Sequence, residues 1–217
     1  MKVLCVGYRD WALNIYNNLK DQISEHEFMI ISSEAEFEKI RVSKINPDLI
    51  LFYGWSSIVS EKLINEYKCI MLHPSKLPKY RGGSPIQNQI INGVTSSAVT
   101  LFLMDKDMDS GPILKQQFLS LKGTLTEIFS NISLIGFELT KHMLEEGLHP
   151  KQQDHSSATY FKRRKPEDSE ITLQELSGKP YSYLYNKIRM LSDPYPTPYI
   201  VTVDKKKLYI ALITIEP

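Results

Sequence analysis

The chain has 217 residues, of which 42% are hydrophobic and 24% charged, a composition typical of a globular protein with a sizeable core. It has 26 Lys and Arg residues against 25 Asp and Glu, so no global basic field indicates a nucleic-acid partner. No apolar run reaches the length of a membrane span, and no segment resembles a signal peptide, so we expect a cytoplasmic protein. Cys5 and Cys69 lie in strand-like runs and are expected to be buried thiols rather than a disulfide.

Strands and helices are predicted to alternate in the first part of the chain. Apolar runs indicate strands at residues 2–7, 27–32 and 47–54, and helices are predicted at residues 11–23 and 35–44. This alternation predicts an α/β fold with a doubly wound, mostly parallel sheet. Gly7 is the only glycine in its turn, so the GxGxxG fingerprint of a nicotinamide or flavin site is absent. The His and Cys residues show no metal-ligand spacing, and we expect no metal.

His73 stands at the end of the next predicted strand, residues 66–72, and before a loop rich in Pro, Gly and basic residues. A helix is predicted at residues 84–92, with Ser84 as N-cap and Pro85 at the first helical position. Open α/β sheets bind ligands beyond the carboxyl ends of their strands, which makes His73 a candidate site residue. A single His beside apolar residues is more often structural, so this position alone decides nothing.

Carboxylates follow another predicted strand, residues 99–104. The loop after it contains Asp105, Asp107 and Asp109, and Asp109 is followed by Ser-Gly. If this strand is a neighbour of the strand that ends at His73, one of these carboxylates can meet the imidazole ring. A carboxylate at that position would favour the imidazolium and fix its tautomer.

Two separated motifs carry a resemblance to a known family. They are His73-Pro74-Ser75 with Leu77-Pro78, Arg81-Gly82 and Pro85-Ile86, and then Asp109-Ser110-Gly111. Together they resemble the formyltransferases that use 10-formyltetrahydrofolate, closely over residues 1–120 and more loosely beyond. The resemblance implies a Rossmann-like core, an N-formyltransferase with 10-formyltetrahydrofolate as co-substrate, and His73 and Asp109 as catalytic residues. The family has an Asn two residues before the histidine, where this chain has Met71.

The implied reaction moves a one-carbon acyl unit from a folate nitrogen to an amine. It needs an unprotonated amine, stabilisation of a tetrahedral oxyanion and a proton route to the leaving nitrogen, and His73 suits the last two. A thioether cannot donate a hydrogen bond, and losing one oxyanion donor reduces the rate by about a hundred- to a thousand-fold. Either another group replaces the Asn, or the chain is a weak enzyme, or Met71 was introduced to trap a complex. A degenerate member that binds nucleotide or folate without turnover is the non-enzymatic alternative.

Trp55, Ser56 and Ser57 follow the strand at residues 47–54, and on sequence alone they are equally compatible with a simple turn. The resemblance implies that this loop lines the pterin pocket, largely with backbone groups. It also implies that the loop from Asp105 to Asp109 forms the opposite wall of that pocket, with Asp105 and Met108 as cofactor contacts.

The rest of the chain is predicted to complete one domain and begin a second. A strand at residues 112–121 and a long helix at residues 124–146 belong to a catalytic domain that spans residues 1–166. The basic cluster at residues 162–165 is interpreted as a solvated loop, with a phosphate contact as the minority alternative. Residues 167–217 are predicted to form a truncated C-terminal subdomain of one helix and a hairpin, with strands at 199–203 and 207–213. A hairpin alone is too small to be stable, so we expect it to pack on a second copy in a homodimer.

Three groups of the related formyltransferases differ in the amine that accepts the formyl group. A near-neutral charge and a short C-terminal part argue against methionyl-tRNA formyltransferases, and the C-terminal pattern argues against glycinamide ribonucleotide formyltransferases. The loop at residues 8–11, the segment at residues 159–164 and the truncated C-terminal part most resemble the sugar-nucleotide N-formyltransferases. This resemblance implies a dTDP- or UDP-linked amino sugar for cell-surface polysaccharide synthesis as the acceptor, with no nucleic-acid or membrane partner. The candidate substrate contacts are Arg9, Lys76, Arg81, Asn186, Arg189 and Tyr195, of which the cations would face a diphosphate. The sequence does not indicate which base or which sugar this nucleotide would carry.

Overall fold

A six-stranded sheet forms the centre of the structure, a computed structural model that describes residues 1–192 and 195–210. Side by side, its strands are β2 (Glu27–Ile31), β1 (Lys2–Val6), β3 (Leu49–Phe52), β4 (Cys69–His73), β6 (Ser96–Leu103) and β7 (Ile113–Ser120). The first four are parallel, whereas β6 runs antiparallel to β4 and β7 antiparallel to β6. The predicted α/β fold with a mostly parallel sheet is confirmed.

Two smaller pairs of strands lie outside this sheet. The first is a parallel pair, β5 (Arg81–Gly82) with β8 (Tyr160–Phe161), and the second an antiparallel hairpin, β9 (Tyr199–Val201) with β10 (Lys207–Tyr209). The helices are α1 (Asp10–Gln22), α2 (Glu34–Lys39), α3 (Val42–Ile45), α4 (Glu61–Glu66), α5 (Pro85–Ile91), α6 (Leu125–Glu146), α7 (Leu173–Gly178) and α8 (Tyr181–Arg189). No helix within the described ranges is long and apolar enough to cross a membrane.

The single helix predicted at residues 35–44 is instead two short helices, α2 and α3, separated by extended backbone at Ile40 and Arg41. Phe37, Val42 and Ile45 all pack against the same hydrophobic cluster. In an unbroken helix, Val42 would project roughly 140° away from Phe37, because each residue turns the helix by about 100°. The break therefore lets both short helices bury their apolar side chains on one face of the sheet.

Hydrophobic clusters cover both faces of the sheet. Val3 and Cys5 face the cluster that includes α1 and α6, whereas Leu4 and Val6 face the other cluster, as the alternation of side chains along a strand requires. Thr124 and Glu127 form a capping box that starts α6, close to the predicted start. Cys5 and Cys69 are free and buried, as expected, and burial raises the pKa of Cys69 to about 12.

The direction of β6 decides how the site forms. Because β6 is antiparallel to β4, Thr100 pairs with His73 and Leu103 pairs with Ile70, so β6 ends at the edge of the sheet where β4 begins. The loop after β6 starts there, with Met104 donating its N–H to the Cys69 carbonyl at 2.8 Å. It then folds back over the face of the sheet towards His73. At the return, a Cβ on Gly111 would lie 1.8 Å from the Leu103 carbonyl oxygen, so this crossing requires glycine.

The C-terminal part contains two helices where one was predicted. Pro180 cannot continue a helix and forces extended backbone at Lys179, so α7 ends at Gly178 and α8 begins at Tyr181. After α8, Met190 and Leu191 are buried in the same hydrophobic cluster as α1 and α6. The domain boundary near residue 166 stays a prediction.

The hairpin forms at the predicted place with shorter strands. Strand β9 ends at Val201, and the predicted strand 207–213 is described only to residue 210, since residues 211–217 lie outside the described ranges. The Ile171 N–H donates to the Tyr199 carbonyl at 2.8 Å, so the hairpin contacts its own chain. Leu208 and Tyr209 on β10 are both exposed. The homodimer stays a prediction.

A buried lysine holds the C-terminal helices together. Lys187 on α8 contacts both carboxylate oxygens of Glu175 at 2.8 Å and donates to the Glu170 carbonyl. Burial raises the pKa of Glu175, but its hydrogen bonds to Lys187, Thr172 and Tyr183 outweigh burial and hold that pKa below its ordinary value. The lysine side chain is 5% exposed, so the pair is desolvated rather than superficial.

We expect Lys187→Met to lower the free energy of unfolding by about 3 kcal/mol, because it leaves Glu175 and the Glu170 carbonyl without their partner. Lys62→Met is the matched control, since Lys62 pairs with Glu66 at 3.8 Å but is 81% exposed. It should change stability by less than about 0.5 kcal/mol. Urea denaturation of both variants measures the difference, and equal effects would show that the Lys187 network is not stabilising.

Candidate functional site

The candidate site is centred on His73, whose ring is enclosed at the end of β4. The side chain is 6% exposed, and its Nδ1 lies 3.5 Å from Oδ2 of Asp109. Its Nε2 lies 2.8 Å from the carbonyl oxygen of Tyr80. Both ring nitrogens thus face acceptors, and only an imidazolium has the two N–H groups to donate to both at once.

Asp109 is held in place by the loop that follows β4. Its Oδ2 accepts the backbone N–H of Gly82 at 2.7 Å, so one carboxylate oxygen contacts both Gly82 and the imidazole. The side chain is 8% exposed, and the backbone adopts a left-handed conformation with φ of 52°. The structure therefore brings together the two residues that the sequence motifs singled out, although their loops leave opposite edges of the sheet.

The loop between His73 and α5 is fixed by polar contacts at several points. Thr100 Oγ1 donates to the Ser75 carbonyl at 2.7 Å, and Ser75 Oγ donates to the Lys79 carbonyl at 2.7 Å. At the far end of the loop, the short strand β5 pairs with β8, and a Cβ on Gly82 would lie 2.3 Å from the Phe161 carbonyl oxygen. The segment around β8 therefore forms one wall of the site.

The residues predicted to line a cofactor pocket occupy two loops. Trp55 packs against Tyr8 and Phe37, with ring centroids 5.5 and 5.4 Å apart, and Ser57 Oγ donates to Glu34. The Ser56 carbonyl accepts from Arg163 at 3.4 Å, which ties this loop to the segment after β8.

Asp105 and Met108 occupy the exposed part of the other loop. The carboxylate of Asp105 accepts the N–H of Lys106 at 2.7 Å, and the Met108 side chain is 63% exposed. Both side chains therefore remain accessible to a ligand.

The predicted substrate contacts do not form one cluster of cations. Arg81 is completely buried and hydrogen-bonded within the protein, so the prediction that it contacts a diphosphate is wrong for this conformation. Arg189 donates to the carbonyls of Leu121 and Gly123 at 3.1 and 2.9 Å and to Asn186 at 2.8 Å, which joins α8 to the turn before α6. Burial lowers the pKa of the Arg189 guanidinium.

The remaining predicted contacts lie at three separate places. Tyr195 stacks on Phe129 with centroids 6.1 Å apart. Arg9 lies over the ring of Tyr8 at 5.5 Å, and Lys76 is exposed. Of the four predicted cations, Lys76 is therefore exposed and Arg9 half-buried, and no contact joins the two.

Met71 lies on the same face of β4 as His73, because side chains two residues apart on a strand point to the same side. It pairs with Phe52 on β3 and Phe102 on β6 and packs against the hydrophobic cluster on that face. The position of the family Asn is therefore filled by an apolar side chain beside the candidate site.

Gln153 is a buried polar residue that sequence reasoning missed. Its side chain contacts Arg81 and the backbone of Asp109 and Gly111. A single Gln in a polar segment carries no local pattern that distinguishes it from a solvated residue. In the described part of the chain, no group of three or more His, Cys, Asp or Glu residues is placed to hold a metal ion.

Comparison with known proteins gives consistent results. A family model described as formyl transferase matches residues 13–128. The methionyl-tRNA formyltransferase of Thermotoga maritima is 34% identical over 184 residues, covering 79% of this chain and 57% of the relative. That of Campylobacter lari is 36% identical over 164 residues, covering 74% of this chain and 53% of the relative. This chain spans about half the length of the curated relatives it matches.

Solved structures give the same fold. A methionyl-tRNA formyltransferase structure from Clostridium thermocellum aligns with a TM-score of 0.88 and 32% identity, covering all of this chain and 94% of that one. A 4-N formyltransferase from Francisella tularensis aligns with a TM-score of 0.81 and 19% identity, over all of this chain and 98% of that one. At that identity, the second likeness shows the fold alone.

Proposed function

Because this chain belongs to the formyl transferase family, we propose that it transfers a formyl group from 10-formyltetrahydrofolate to an amine. The observation that carries the proposal is the buried pair of His73 and Asp109, whose side chains lie 3.5 Å apart beside the sheet. The same two residues belong to the motifs that resemble the folate-dependent family. A degenerate binder without turnover is the alternative, and assays of formyl transfer distinguish the two.

The proposed reaction begins when a neutral amine attacks the formyl carbon, so that a carbon–nitrogen bond forms and the carbonyl electron pair moves to oxygen. Collapse of this tetrahedral species breaks the bond to the folate nitrogen, which takes as it leaves the proton that the attacking amine has lost. His73 donates to the oxyanion and relays the proton, and Asp109 stabilises the charged ring. The Nε2 position currently faces the Tyr80 carbonyl at 2.8 Å, so a formyl oxygen would share or replace that contact.

The accessible loop groups give the folate a place to bind. The two proposed walls differ in burial: Trp55, Ser56 and Ser57 are half-buried, whereas Asp105 and Met108 are exposed on the loop that ends at Asp109. Backbone groups of these loops would hold the pterin, whereas the reaction itself is the cofactor's chemistry placed by the protein.

Met71→Asn should raise kcat at least about tenfold with little change in KM, because it adds a carboxamide donor that acts mostly in the transition state. The Asn would project on the same sheet face as His73, two residues away. Met71→Leu is the matched comparison, since it changes the side chain without adding a donor and should give no gain. Steady-state kinetics on one acceptor measure all three proteins.

No gain in Met71→Asn beside a fully active parent would mean that another donor already serves the oxyanion, which contradicts this role for position 71. If both proteins bind folate and neither transfers the formyl group, the degenerate-binder alternative is correct.

For the acceptor, we propose the amine of methionyl-tRNA ahead of an amino-sugar nucleotide. The relatives from Thermotoga maritima, Campylobacter lari and Clostridium thermocellum are all methionyl-tRNA formyltransferases, and they count against the prediction that no nucleic acid is bound. The length argument against this acceptor is divided, because this chain covers 94% of the Clostridium thermocellum chain but only 57% of the Thermotoga maritima relative. Two of the four cations predicted to bind a sugar diphosphate, Arg81 and Arg189, donate to groups of the protein itself.

The acceptor is tested by offering methionyl-tRNA, glycinamide ribonucleotide and a panel of dTDP- and UDP-amino sugars in parallel with 10-formyltetrahydrofolate. We expect kcat/KM for methionyl-tRNA to exceed that for every other acceptor by at least about a hundredfold. A higher kcat/KM for an amino-sugar nucleotide would replace the tRNA assignment with the one predicted from sequence, while leaving formyl transfer intact.

A further inference from the structure

A buried glutamine, Gln153, connects the loop of Asp109 to the segment of Arg81. Its amide nitrogen donates to the carbonyl oxygens of Asp109 at 2.9 Å and Gly111 at 2.7 Å, and its amide oxygen accepts from Arg81 at 2.7 Å. A reversed amide would place oxygen against two carbonyls and NH₂ against a guanidinium. The contacts therefore fix its orientation.

These contacts close into a ring through adjacent residues. Gly82, which follows Arg81, donates its N–H to the Asp109 carboxylate at 2.7 Å. The Asp109 carboxylate is thus held by Gly82, and the Asp109 carbonyl is held by Gln153. Gln153 in turn contacts Arg81, the residue next to Gly82, which closes the ring. Because Asp109 has a φ of 52°, its left-handed backbone depends on such surrounding contacts.

The amide, rather than a carboxylate, at position 153 is informative. Arg81 is 0% exposed, and it donates to Tyr160 at 2.6 Å and His155 at 3.1 Å as well as to Gln153. Within residues 1–192 and 195–210, it has no acidic partner in an ion pair. A Glu at position 153 would satisfy the buried charge better, but a carboxylate cannot donate to the two carbonyls of the Asp109 loop. The presence of an amide at this position is therefore explained by its two donations to the Asp109 loop and not by its contact with Arg81.

We propose that Gln153 is a positioning residue for formyl transfer, which holds the Asp109 loop so that its carboxylate stays against His73. The inference rests on the proposed function. It goes beyond that function because Gln153 contacts neither reacting group and acts through the backbone of Asp109.

Gln153→Glu separates this role from general stability. The carboxylate keeps the contact with Arg81 but loses both donations to the loop, so kcat should fall about ten- to a hundredfold while KM for 10-formyltetrahydrofolate changes less than about threefold. Thr140→Val is the matched control, because Thr140 is 0% exposed and its hydroxyl is hydrogen-bonded to Tyr53, away from the Asp109 loop. The substitution therefore also removes a buried hydrogen-bonding group. It should lower the melting temperature with kcat unchanged within about twofold. Parent-like kcat in Gln153→Glu would overturn the proposal.

A double-variant cycle tests whether Gln153 acts through Asp109. In an Asp109→Asn background, Gln153→Glu should reduce kcat by less than about twofold, because the carboxylate that it positions is already gone. Full multiplication of the two single effects would show that Gln153 acts independently of Asp109, and the positioning role would be wrong.

A measurement without turnover distinguishes failure of this inference from failure of the proposed function. The ring-nitrogen NMR signals of His73, assigned with His73→Asn among the five histidines, report the hydrogen bonding of the imidazole. Gln153→Glu should shift the His73 signals, and Thr140→Val should not. If the parent transfers no formyl group, the proposed function fails, yet this shift still supports the positioning network. Unshifted His73 signals in Gln153→Glu would overturn the network itself.

Discussion

Replacing His73 by Ala should reduce formyl transfer at least about a thousand-fold, because the reaction loses both an oxyanion donor and a proton relay. His73→Asn should recover part of that loss, since a carboxamide donates a hydrogen bond but cannot act as a general acid or base at neutral pH. Folate binding should be nearly intact in both variants, because the pterin would contact the backbone of other loops. Single-turnover rates and folate titrations measure the two effects separately.

The matched control for His73 is His149→Ala. His149 is exposed, and its Nε2 lies 3.0 Å from the Glu146 carbonyl. Like His73, it is a histidine whose Nε2 contacts a backbone carbonyl, but it lies outside the candidate site. Its rate should stay within about twofold of the parent, as expected for a surface substitution. A His73→Ala rate close to that of His149→Ala would remove His73 from the mechanism.

Asp109→Asn should reduce kcat by about a hundred- to ten-thousand-fold, in the range seen when the carboxylate partner of a catalytic histidine is neutralised. The substitution is sterically mild, because Asn tolerates the left-handed backbone at this position and its amide oxygen can still accept from Gly82. What it removes is the negative charge beside Nδ1 of His73, which would stabilise positive charge that develops on the ring during the reaction.

Asp107→Asn is the control for Asp109, because Asp107 is an exposed carboxylate of the same loop. It changes the loop charge equally and should leave kcat within about threefold of the parent. Equal losses in the two variants would mean that the loop charge, rather than contact with His73, matters. Circular dichroism and thermal unfolding of each variant confirm that the fold is retained.

Local sequence patterns were sufficient for the four parallel strands of the sheet and for α6, since apolar runs and a helical apolar stripe are local properties. They also placed His73 and Asp109 at the ends of neighbouring strands, which the structure confirms as a contact. The sequence did not indicate that β6 runs antiparallel to β4, because an apolar run has the same pattern in either direction. The return of its loop across the sheet face therefore emerged only from the structure.

Other errors have a common cause in long-range contacts. Arg81 was predicted to contact a diphosphate, but its partners Gln153, His155 and Tyr160 lie far along the chain and bury it. The role of Gln153 is invisible in the sequence for the same reason. The break between α2 and α3 depends on which sheet face Val42 and Ile45 reach, and periodicity within one helix does not contain that information.

The most direct test of the account is transfer of labelled carbon. Purified protein is incubated with 10-[¹³C]formyltetrahydrofolate and methionyl-tRNA, and the aminoacyl product is analysed by mass spectrometry beside a His73→Ala reaction. The account predicts a labelled formyl group on the methionyl amine, formed at least about a thousand-fold faster by the parent than by the variant. No label on this or on any other amine acceptor tested, or equal labelling by parent and variant, would contradict formyl transfer by His73.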